Sequence, residues 1–249
     1  MKELLQKKLS DSAAARWTAL LAVSFTMMCG YFFTDVMSPL EPMLTSNDVN
    51  GLGWTSDEYG FFSGAYGYFN VFLLLLFFGG IILDKFGIRF TGLASTLLMF
   101  GGALIKWWAV SNTFDGSVTL PFGIGTYHTQ VLWASLGFAI YGAGCEIAGI
   151  TVTKIIAKWF TGHELALAMG FQVALARIGT ACALALALPF AKACGGVHAA
   201  VGLGAALLCI SVVAFLVYCV MDKKEAASAE AGQTDPAEGF NFYDLKMLI

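Results

Sequence analysis

The stretch Tyr141-Gly-Ala-Gly-Cys-Glu-Ile-Ala-Gly149 places one carboxylate, that of Glu146, in the middle of a long apolar segment. Thirty-one residues later, Ala174-Leu-Ala-Arg-Ile-Gly179 places the guanidinium of Arg177 in the middle of the next apolar segment. An ionisable side chain at bilayer depth costs about 2.5–3.5 kcal/mol on insertion scales, so it usually faces a cavity or a partner. We therefore expect consecutive transmembrane helices with opposite charges at matching depth, an arrangement suited to a polar or zwitterionic substrate.

The composition of the whole chain favours a membrane protein and argues against other classes. Of its 249 residues, 58% are hydrophobic and 12% are charged, whereas soluble domains contain about 25% charged residues. The net charge of −3, without a basic patch, argues against a nucleic-acid partner. The six cysteines lack CxxC spacing, which favours buried thiols over disulfides or zinc ligands.

Catalytic signatures are absent from the sequence. It contains no HExxH, GxSxG or GxxxxGK[ST] motif and no paired His/Cys set, which argues against a metalloprotease, a hydrolase or an ATPase. We therefore expect no enzymatic activity, no metal and no cofactor.

Six segments are long and apolar enough to cross a bilayer, at about 20 residues for each span. The predicted transmembrane helices cover approximately residues 17–40, 55–83, 90–110, 130–160, 165–193 and 198–221.

The fold class predicted from these segments is an all-α membrane protein in three parts. Residues 1–15 form an amphipathic N-terminus, residues 16–221 the six-helix bundle, and residues 222–249 a solvated linker that ends in a short interfacial helix over 240–249.

Polar side chains recur at helical spacing on the first two predicted spans. Tyr31 and Asp35 lie one turn apart on the first span, and Tyr66 and Asn70 lie one turn apart on the second. We predict that Tyr31, Tyr66 and Asn70 line a substrate cavity and that Asp35, near the outer end, belongs to a gate. Two alternatives stay open, namely packing roles for the tyrosines and a proton-binding role for Asp35.

Three local patterns make further predictions. Thr55-Ser-Asp-Glu58 is typical of a capping box that begins the second span. Gly60 and Gly64 follow the small-xxx-small spacing of close helix contacts. Lys106 lies near the end of the third span beside two tryptophans, so we expect its ammonium to reach the membrane interface.

The distribution of cations predicts the orientation of the chain, because cytoplasmic loops carry the excess of Lys and Arg. It places both termini in the cytoplasm, and Lys192 with Lys106 on the opposite side. The cations predicted to be cytoplasmic are Lys2, Lys7, Lys8, Arg16, Lys85, Arg89, Lys158, Lys223 and Lys224.

A compact charged loop, Gly79-Gly-Ile-Ile-Leu-Asp-Lys-Phe-Gly-Ile-Arg89, joins the second and third predicted spans. So short a connection needs a sharp turn, which explains Gly87. Asp84 would brace a helix N-terminus, and the cations Lys85 and Arg89 would brace helix C-termini. An ordinary positively charged loop is the alternative interpretation.

This loop resembles the signature of the major facilitator superfamily, which is Gly, three residues, Asp, Arg or Lys, one residue, Gly and then basic residues. Ile88 departs from it, because a basic residue is usual at that position. The resemblance implies that the loop closes a cytoplasmic gate and that Asp84 engages the C-terminal half of the transporter. It also implies a 3+3 inverted repeat within the six helices.

A second resemblance is to the branch of this superfamily that contains the lysosomal dipeptide uniporter of animals and its bacterial relatives. It covers the six spans unevenly and is sharpest from residue 144 to residue 179. The segments that carry it are Gly144-Cys-Glu146, Lys158-Trp-Phe-Thr-Gly-His-Glu-Leu165, Met169-Gly-Phe-Gln172 and Ala176-Arg-Ile-Gly179.

The second resemblance implies that Glu146 binds the α-ammonium of a peptide and that Arg177 binds its α-carboxylate. The chemistry of the side chains agrees, because an arginine fork matches a carboxylate and a carboxylate accepts the donors of an ammonium. Glu146 and Arg177 could instead pair with each other as a contact between helices.

The function predicted from these features is that of the N-terminal half of a secondary transporter that moves dipeptides or similar zwitterions by alternating access. It needs the lipid bilayer and a second six-helix half, which would begin within residues 222–249. We expect a bacterial inner membrane. Within the superfamily, the alternative is an organic anion or sugar-phosphate carrier, and outside it the alternative is an oligomeric six-helix channel or membrane receptor.

Overall fold

The computed structural model describes residues 12–46, 51–121 and 125–230. Within these ranges the chain is mostly helical, with one antiparallel hairpin of two short strands. The elements are α1 (Ala13–Asp35), a 3-10 turn (Ser38–Leu40), α2 (Glu41–Leu44), α3 (Ser56–Phe72), α4 (Leu75–Ser111), β1 (Ser117–Leu120), β2 (Gly125–His128), α5 (Thr129–Trp159), α6 (His163–Ala193) and α7 (Val197–Glu230).

The helices confirm the predicted class of an all-α membrane protein. Among the described residues, five helical stretches are long and apolar enough to cross a bilayer, and α3, with 17 residues, lies between the first two of them. Helix α5 is the most buried of these stretches, and it packs against α1, α3 and α4. It therefore carries Glu146 into the centre of the bundle.

Residues 55–83 do not form one continuous helix. The sequence predicts a single span there, but the structure shows a break. The chain leaves the helix after Phe72, and Leu74 adopts a left-handed backbone conformation with φ of 47°. The side chains of residues 71–74 are all more than half exposed. The break lies in a uniformly apolar sequence without Gly or Pro, and no local pattern announces it.

The sharp turn predicted at Gly87 is confirmed. Its backbone angles are φ 78° and ψ 170° within the long helical stretch of α4, a conformation that L-residues with a Cβ rarely adopt. This kink separates the parts of α4 that correspond to the second and third predicted spans.

Close backbone contacts at glycine join α4 with α5, α3 with α5 and α1 with α6, and none of them lies at Gly60 or Gly64. A Cβ added at Gly60 meets nothing within 4 Å, and one added at Gly64 meets only Tyr68 of its own helix. By contrast, a Cβ at Gly102 would come within 2.4 Å of the backbone of α5, and one at Gly137 within 2.6 Å of the backbone of α4. The small-residue contact predicted for the second span is therefore wrong.

The capping box at the start of α3 is confirmed, and it has an additional role. The Thr55 hydroxyl accepts from the amide of Glu58, and the Glu58 carboxylate accepts from the amide of Thr55. The same carboxylate also contacts both the amide and the ring Nδ1 of His128, each at 2.7 Å. Glu58 thereby fastens the end of the β-hairpin to the start of α3. We name this side of the bundle the hairpin end.

Lys106 does not reach the membrane interface, contrary to the sequence prediction. Its side chain is fully buried, with 0% exposure, and its Nζ has no hydrogen-bond partner in the part of the chain that the structure describes. Nζ lies 4.5 Å from the ring centroid of Phe33, 5.2 Å from that of Phe62 and 4.1 Å from that of Phe138. Rings from α1, α3 and α5 thus enclose the amine in a cation–π cage.

Helix α7 continues past Asp222, where the sequence predicts the start of a solvated linker. The helix runs to Glu230, and Asp222 is 1% exposed because two cations from other helices contact its carboxylate. The predicted features over residues 1–11 and 231–249, including the interfacial helix, lie outside the described residues.

Candidate functional site

The carboxylate predicted to bind substrate is held by a tyrosine that was also predicted to line the cavity. The hydroxyl of Tyr66, on α3, donates to Oε1 of Glu146, on α5, at 2.7 Å. Glu146 itself is partly exposed within an otherwise buried stretch of α5. One carboxylate oxygen is therefore fixed by Tyr66, while the second oxygen has no hydrogen-bond partner among the described residues.

The guanidinium predicted to bind substrate lies exposed at the surface of the bundle. Arg177, on α6, is exposed, and its Cζ lies 5.5 Å from the ring centroid of Tyr31, on α1. Within the described ranges Arg177 forms no hydrogen bond and no ion pair, so the alternative in which it pairs with Glu146 is not what the structure shows. Its five N–H donors are available to a ligand.

Tyr31 is the aromatic neighbour of the guanidinium, since its ring centroid lies 5.5 Å from Cζ of Arg177. Tyr66 is the neighbour of the carboxylate, since its hydroxyl donates to Glu146. These four side chains therefore form two contacts, one between α1 and α6 and one between α3 and α5.

Asn70, the remaining residue predicted to line the cavity, is turned toward its own helix. Its Nδ2 donates to the backbone oxygen of Tyr66 at 3.1 Å. Among the described residues, its buried Oδ1 has no hydrogen-bond partner.

A cavity of about 210 Å³ adjoins the site at the hairpin end, and Tyr66 forms part of its wall. The cavity is lined by both polar side chains and aromatic rings. Its lining residues are Thr34, Asp35, Met37, Ser38, Tyr59, Phe62, Ser63, Tyr66 and Phe138.

The charged loop residues form two ion-pair clusters at the opposite end of the bundle, which we name the basic end. In the first cluster, Lys154 of α5 forms an ion pair with Asp84 of α4. Lys85 lies beside Asp84, and its Nζ is 5.6 Å from the ring centroid of Phe86. Asp84 thus has a partner within this chain, in addition to any partner in a C-terminal half.

The second cluster is centred on Asp222 of α7. Its carboxylate contacts Arg89 at 3.4 Å and Lys158 at 2.7 Å, and it also accepts from Tyr218 and Trp159 at 3.2 and 3.4 Å. The cluster joins α4, α5 and α7 through Asp222, and the predicted gating residue Arg89 is thereby tied to α7.

Sequence reasoning missed Lys154, Asp222 and the surroundings of Lys106. A signal existed for Lys154, because it precedes Lys158 by four residues and so shares its helical face. The burial of Asp222 had no local signal, because its neighbours along the chain are charged and resemble a linker. Within the described ranges, no group of three or more His, Cys, Asp or Glu side chains could hold a metal ion.

The long apolar helices, the charged loop with its glycine turn and the ionic side chains within the apolar spans define the class, a multi-pass membrane protein. The family model of the Major Facilitator Superfamily matches residues 20–245. The chain therefore belongs to the major facilitator superfamily.

Curated relatives of the chain include the lysosomal dipeptide transporter MFSD1 from several animals. The bovine protein is 26% identical over 169 residues, which is 67% of this chain and 31% of the relative. The mouse protein is 29% identical over 111 residues, 43% of this chain and 20% of the relative. The chain thus spans less than a third of the length of these relatives.

Solved structures with a similar fold include peptide transporters of the POT family. One of them, a POT transporter mutant in complex with sulfate, superimposes with a TM-score of 0.63 over 96% of this chain and 43% of that chain, at 17% identity. A POT family transporter in complex with 5-aminolevulinic acid gives a TM-score of 0.62 at 17% identity, over 98% of this chain and 44% of the other. Because the sequence identity is only 17%, these structures show a similarity of fold alone.

Proposed function

We propose that this chain is the N-terminal half of a transporter for dipeptides and similar zwitterions. The observation that carries the proposal is the pair of separate ionic groups at bilayer depth, Glu146 held by Tyr66 and Arg177 lying on Tyr31. The relatives named as dipeptide transporters support the same substrate class.

The two ionic groups suit the two ends of a short peptide. The free oxygen of Glu146 accepts the α-ammonium, while its other oxygen stays fixed by Tyr66. Arg177 receives the α-carboxylate through its planar fork. Because the cavity between bundles has a lower effective dielectric than water, these contacts are stronger there than at a surface.

Transport itself requires a partner for this bundle. The fold neighbours contain more than twice the matched length, since the chain covers 43% or 44% of them. We propose that a second six-helix half closes the cavity over Glu146 and Arg177 and that the two halves alternate access between the two sides of the membrane. We also propose that the basic end faces the cytoplasm, of a bacterial inner membrane, in accordance with the excess of cations at that end.

The ion pairs at the basic end are proposed to form part of the gate. Asp84 with Lys154 and Arg89 with Asp222 fix the two sides of the Gly87 turn. A rigid loop at this position presents a constant surface to the C-terminal half, so closure depends on a few charged contacts rather than on refolding of the loop.

Binding and uptake of labelled Ala-Ala by the full-length transporter test this function. Glu146→Gln removes the charge at nearly constant shape, and Arg177→Ala removes the fork. We expect each variant to lower uptake by about a hundredfold, because a charged partner is lost in a low-dielectric site. Asp115→Asn, in the exposed loop before β1, is the matched control and should transport normally.

The same assay separates the alternatives. Uptake of N-acetylated Ala-Ala equal to that of Ala-Ala would identify an organic anion carrier, because no ammonium would then be needed. Saturable Ala-Ala uptake that persists at the wild-type rate in both variants would contradict the assigned roles of Glu146 and Arg177. An ion current without saturable peptide uptake would indicate a channel.

A further inference from the structure

A cleft of about 410 Å³ lies between α4 and α7, and we name it the α4–α7 cleft. Both helices are long and apolar enough to cross a bilayer, and apolar side chains of both are exposed along the cleft. The lining from α4 is bulky, whereas that from α7 is mostly small. The α4 residues are Phe100, Leu104 and Trp107, and the small α7 residues are Gly202, Ala205 and Ala206.

The α4–α7 cleft is bounded along the helices by two close contacts. A Cβ added at Gly92 would lie 2.1 Å from the ring of Phe215, and one added at Gly202 would lie 2.8 Å from Nε1 of Trp107. The lining residues, which fall within 100–107 on α4 and 202–210 on α7, occupy the stretch between these contacts. The cleft is therefore a site with defined ends rather than an open helix face.

The length and depth of the cleft match one acyl chain. Its lining covers eight or nine residues of each helix, which is about 12 Å at the helical rise. Trp107 lies about one turn before α4 ends at Ser111, so the cleft begins near the hairpin end and extends toward the middle of the bilayer. The hydrocarbon layer of one leaflet is about 15 Å thick, half of the bilayer core.

Trp107 provides a hydrogen-bond donor at the outer end of the cleft. Among the described residues, its indole N–H forms no hydrogen bond, whereas those of Trp54 and Trp159 donate to polar side chains. Tryptophan at the end of a span lies at the level of the lipid headgroups, where the ester carbonyls of phospholipids are acceptors. An apolar cleft with one donor at its outer end thus matches a chain that ends in an ester.

A helix of another protein fits the cleft poorly. With its side chains a helix is about 10–12 Å wide, which is as wide as the cleft is long. Helix pairs in membranes also approach through small residues on both partners. Here the exposed side chains of Leu104 and Trp107, each about 40% exposed, stand beside the small residues of α7.

We propose that the α4–α7 cleft binds one phospholipid of the leaflet at the hairpin end, with an acyl chain in the cleft and an ester carbonyl that accepts from the indole N–H of Trp107. The apolar contacts hold the chain, so the site does not select the headgroup. The bound chain fills the gap between α4 and α7 and thereby stabilises their packing. The site goes beyond the proposed function and does not depend on the transported substrate.

Native mass spectrometry of the full-length transporter in detergent, titrated with dioleoyl phosphatidylglycerol, measures the affinity. We expect one phospholipid to stay bound after detergent washing, and dioleoyl phosphatidylethanolamine to bind equally tightly. Ala206→Leu fills the cleft and should raise the dissociation constant about tenfold. Trp107→Phe keeps an aromatic ring without the donor and should raise it about fivefold, the effect of one hydrogen bond. Val217→Phe, at an exposed position of α7 outside the cleft, is the control and should bind like the wild type.

Two native cysteines locate the bound lipid. Cys209 is exposed and lines the cleft, whereas Cys194 is exposed at the end of α6, away from the cleft. We expect phosphatidylglycerol to slow the modification of Cys209 by N-ethylmaleimide in detergent and to leave the rate at Cys194 unchanged, as measured by peptide mass spectrometry. Half-maximal protection should occur at the dissociation constant from the titration.

Several outcomes would overturn the lipid site. These are a wild type that retains no phospholipid, equal affinities of the wild type and Trp107→Phe, and a loss in Val217→Phe as large as that in Ala206→Leu. Disulfide-linked dimers through Cys209 that exclude lipid would make the cleft a contact between two copies of the chain. If Ala206→Leu fails to fold, Trp107→Phe and the protection of Cys209 still decide. No measurement uses a dipeptide, so failure of the proposed function leaves the result for the lipid site unchanged.

Discussion

At the scale of the residue, the distinguishing feature of this protein is the set of contacts that its ionisable side chains make within the apolar spans. Glu146 and Arg177 are each held by an aromatic residue and unpaired with each other. Lys106 is enclosed by three phenylalanine rings without a hydrogen bond. The first two groups remain available to a ligand, whereas the third is sealed inside the protein.

Lys106 provides a test of what the cage contributes to stability. We expect Lys106→Met to maintain or raise the melting temperature, because replacing a desolvated charge by an apolar side chain of similar volume is neutral or stabilising by about 1–4 kcal/mol. Lys106→Ala should lower the free energy of unfolding by about 2–5 kcal/mol, because it leaves a cavity. Thermal unfolding of both variants in detergent provides the measurement.

The opposite ranking would revise this picture. If the methionine variant is as unstable as the alanine variant, the three ring contacts and the field of Asp35 stabilise the ammonium by more than its desolvation costs. Lys106 would then be a principal stabilising contact between α4 and its neighbours.

At the scale of the element, the packing of α4 on α5 sets the position of the site. Gly102 and Gly137 allow the two backbones to approach so closely that no side chain fits between them. The same two helices carry Lys106 and Glu146, and α5 also carries Phe138 of the cage. A displacement of α5 would move Glu146 away from Tyr66.

Neighbouring glycines on α4 give a matched pair of variants. Gly102→Ala puts a Cβ within 2.4 Å of the Tyr141 amide nitrogen, and we expect it to destabilise the protein by about 1–3 kcal/mol because the helices must separate. Gly101→Ala meets nothing within 4 Å, and the higher helix propensity of alanine should stabilise α4 by about 0.5–1 kcal/mol. The melting temperatures of the two variants provide the measurement. Equal effects of the two substitutions would contradict the close approach of α4 and α5.

At the scale of the whole molecule, the two ends of the bundle differ in chemistry. The basic end is held by ion pairs among α4, α5 and α7. The hairpin end is fastened by Glu58 and His128 and contains the cavity with Asp35. This asymmetry is the basis for the proposed orientation in the membrane.

Thiol labelling of intact cells tests that orientation. Cys194 is exposed in the turn between α6 and α7 at the hairpin end, whereas Cys209 is exposed in the middle of α7. A membrane-impermeant maleimide needs a thiolate in water, so it should label Cys194 from outside and should leave Cys209 unlabelled in lipid. Cys194→Ser should remove the signal, and labelling of Cys194 only after permeabilisation would reverse the orientation.

Much of the architecture could be predicted from the sequence because each feature has a local cause. The apolar length of the spans, the capping box at Thr55 and the turn at Gly87 each depend on residues close together in the chain. The break at Leu74 could not be predicted in this way, because the residues around it are uniformly apolar and include neither Gly nor Pro. The misplaced glycine contact has the same origin, since spacing indicates which residues share a helical face but not which helix lies opposite.

The class of protein and the identity of the ionic side chains within the apolar spans follow from the sequence, because hydropathy and charge are properties of short segments. The contact of Glu146 with Tyr66, that of Arg177 with Tyr31, the aromatic cage of Lys106 and the burial of Asp222 emerge from the fold. Each of these contacts joins helices that are distant along the chain, so helix packing sets its distance.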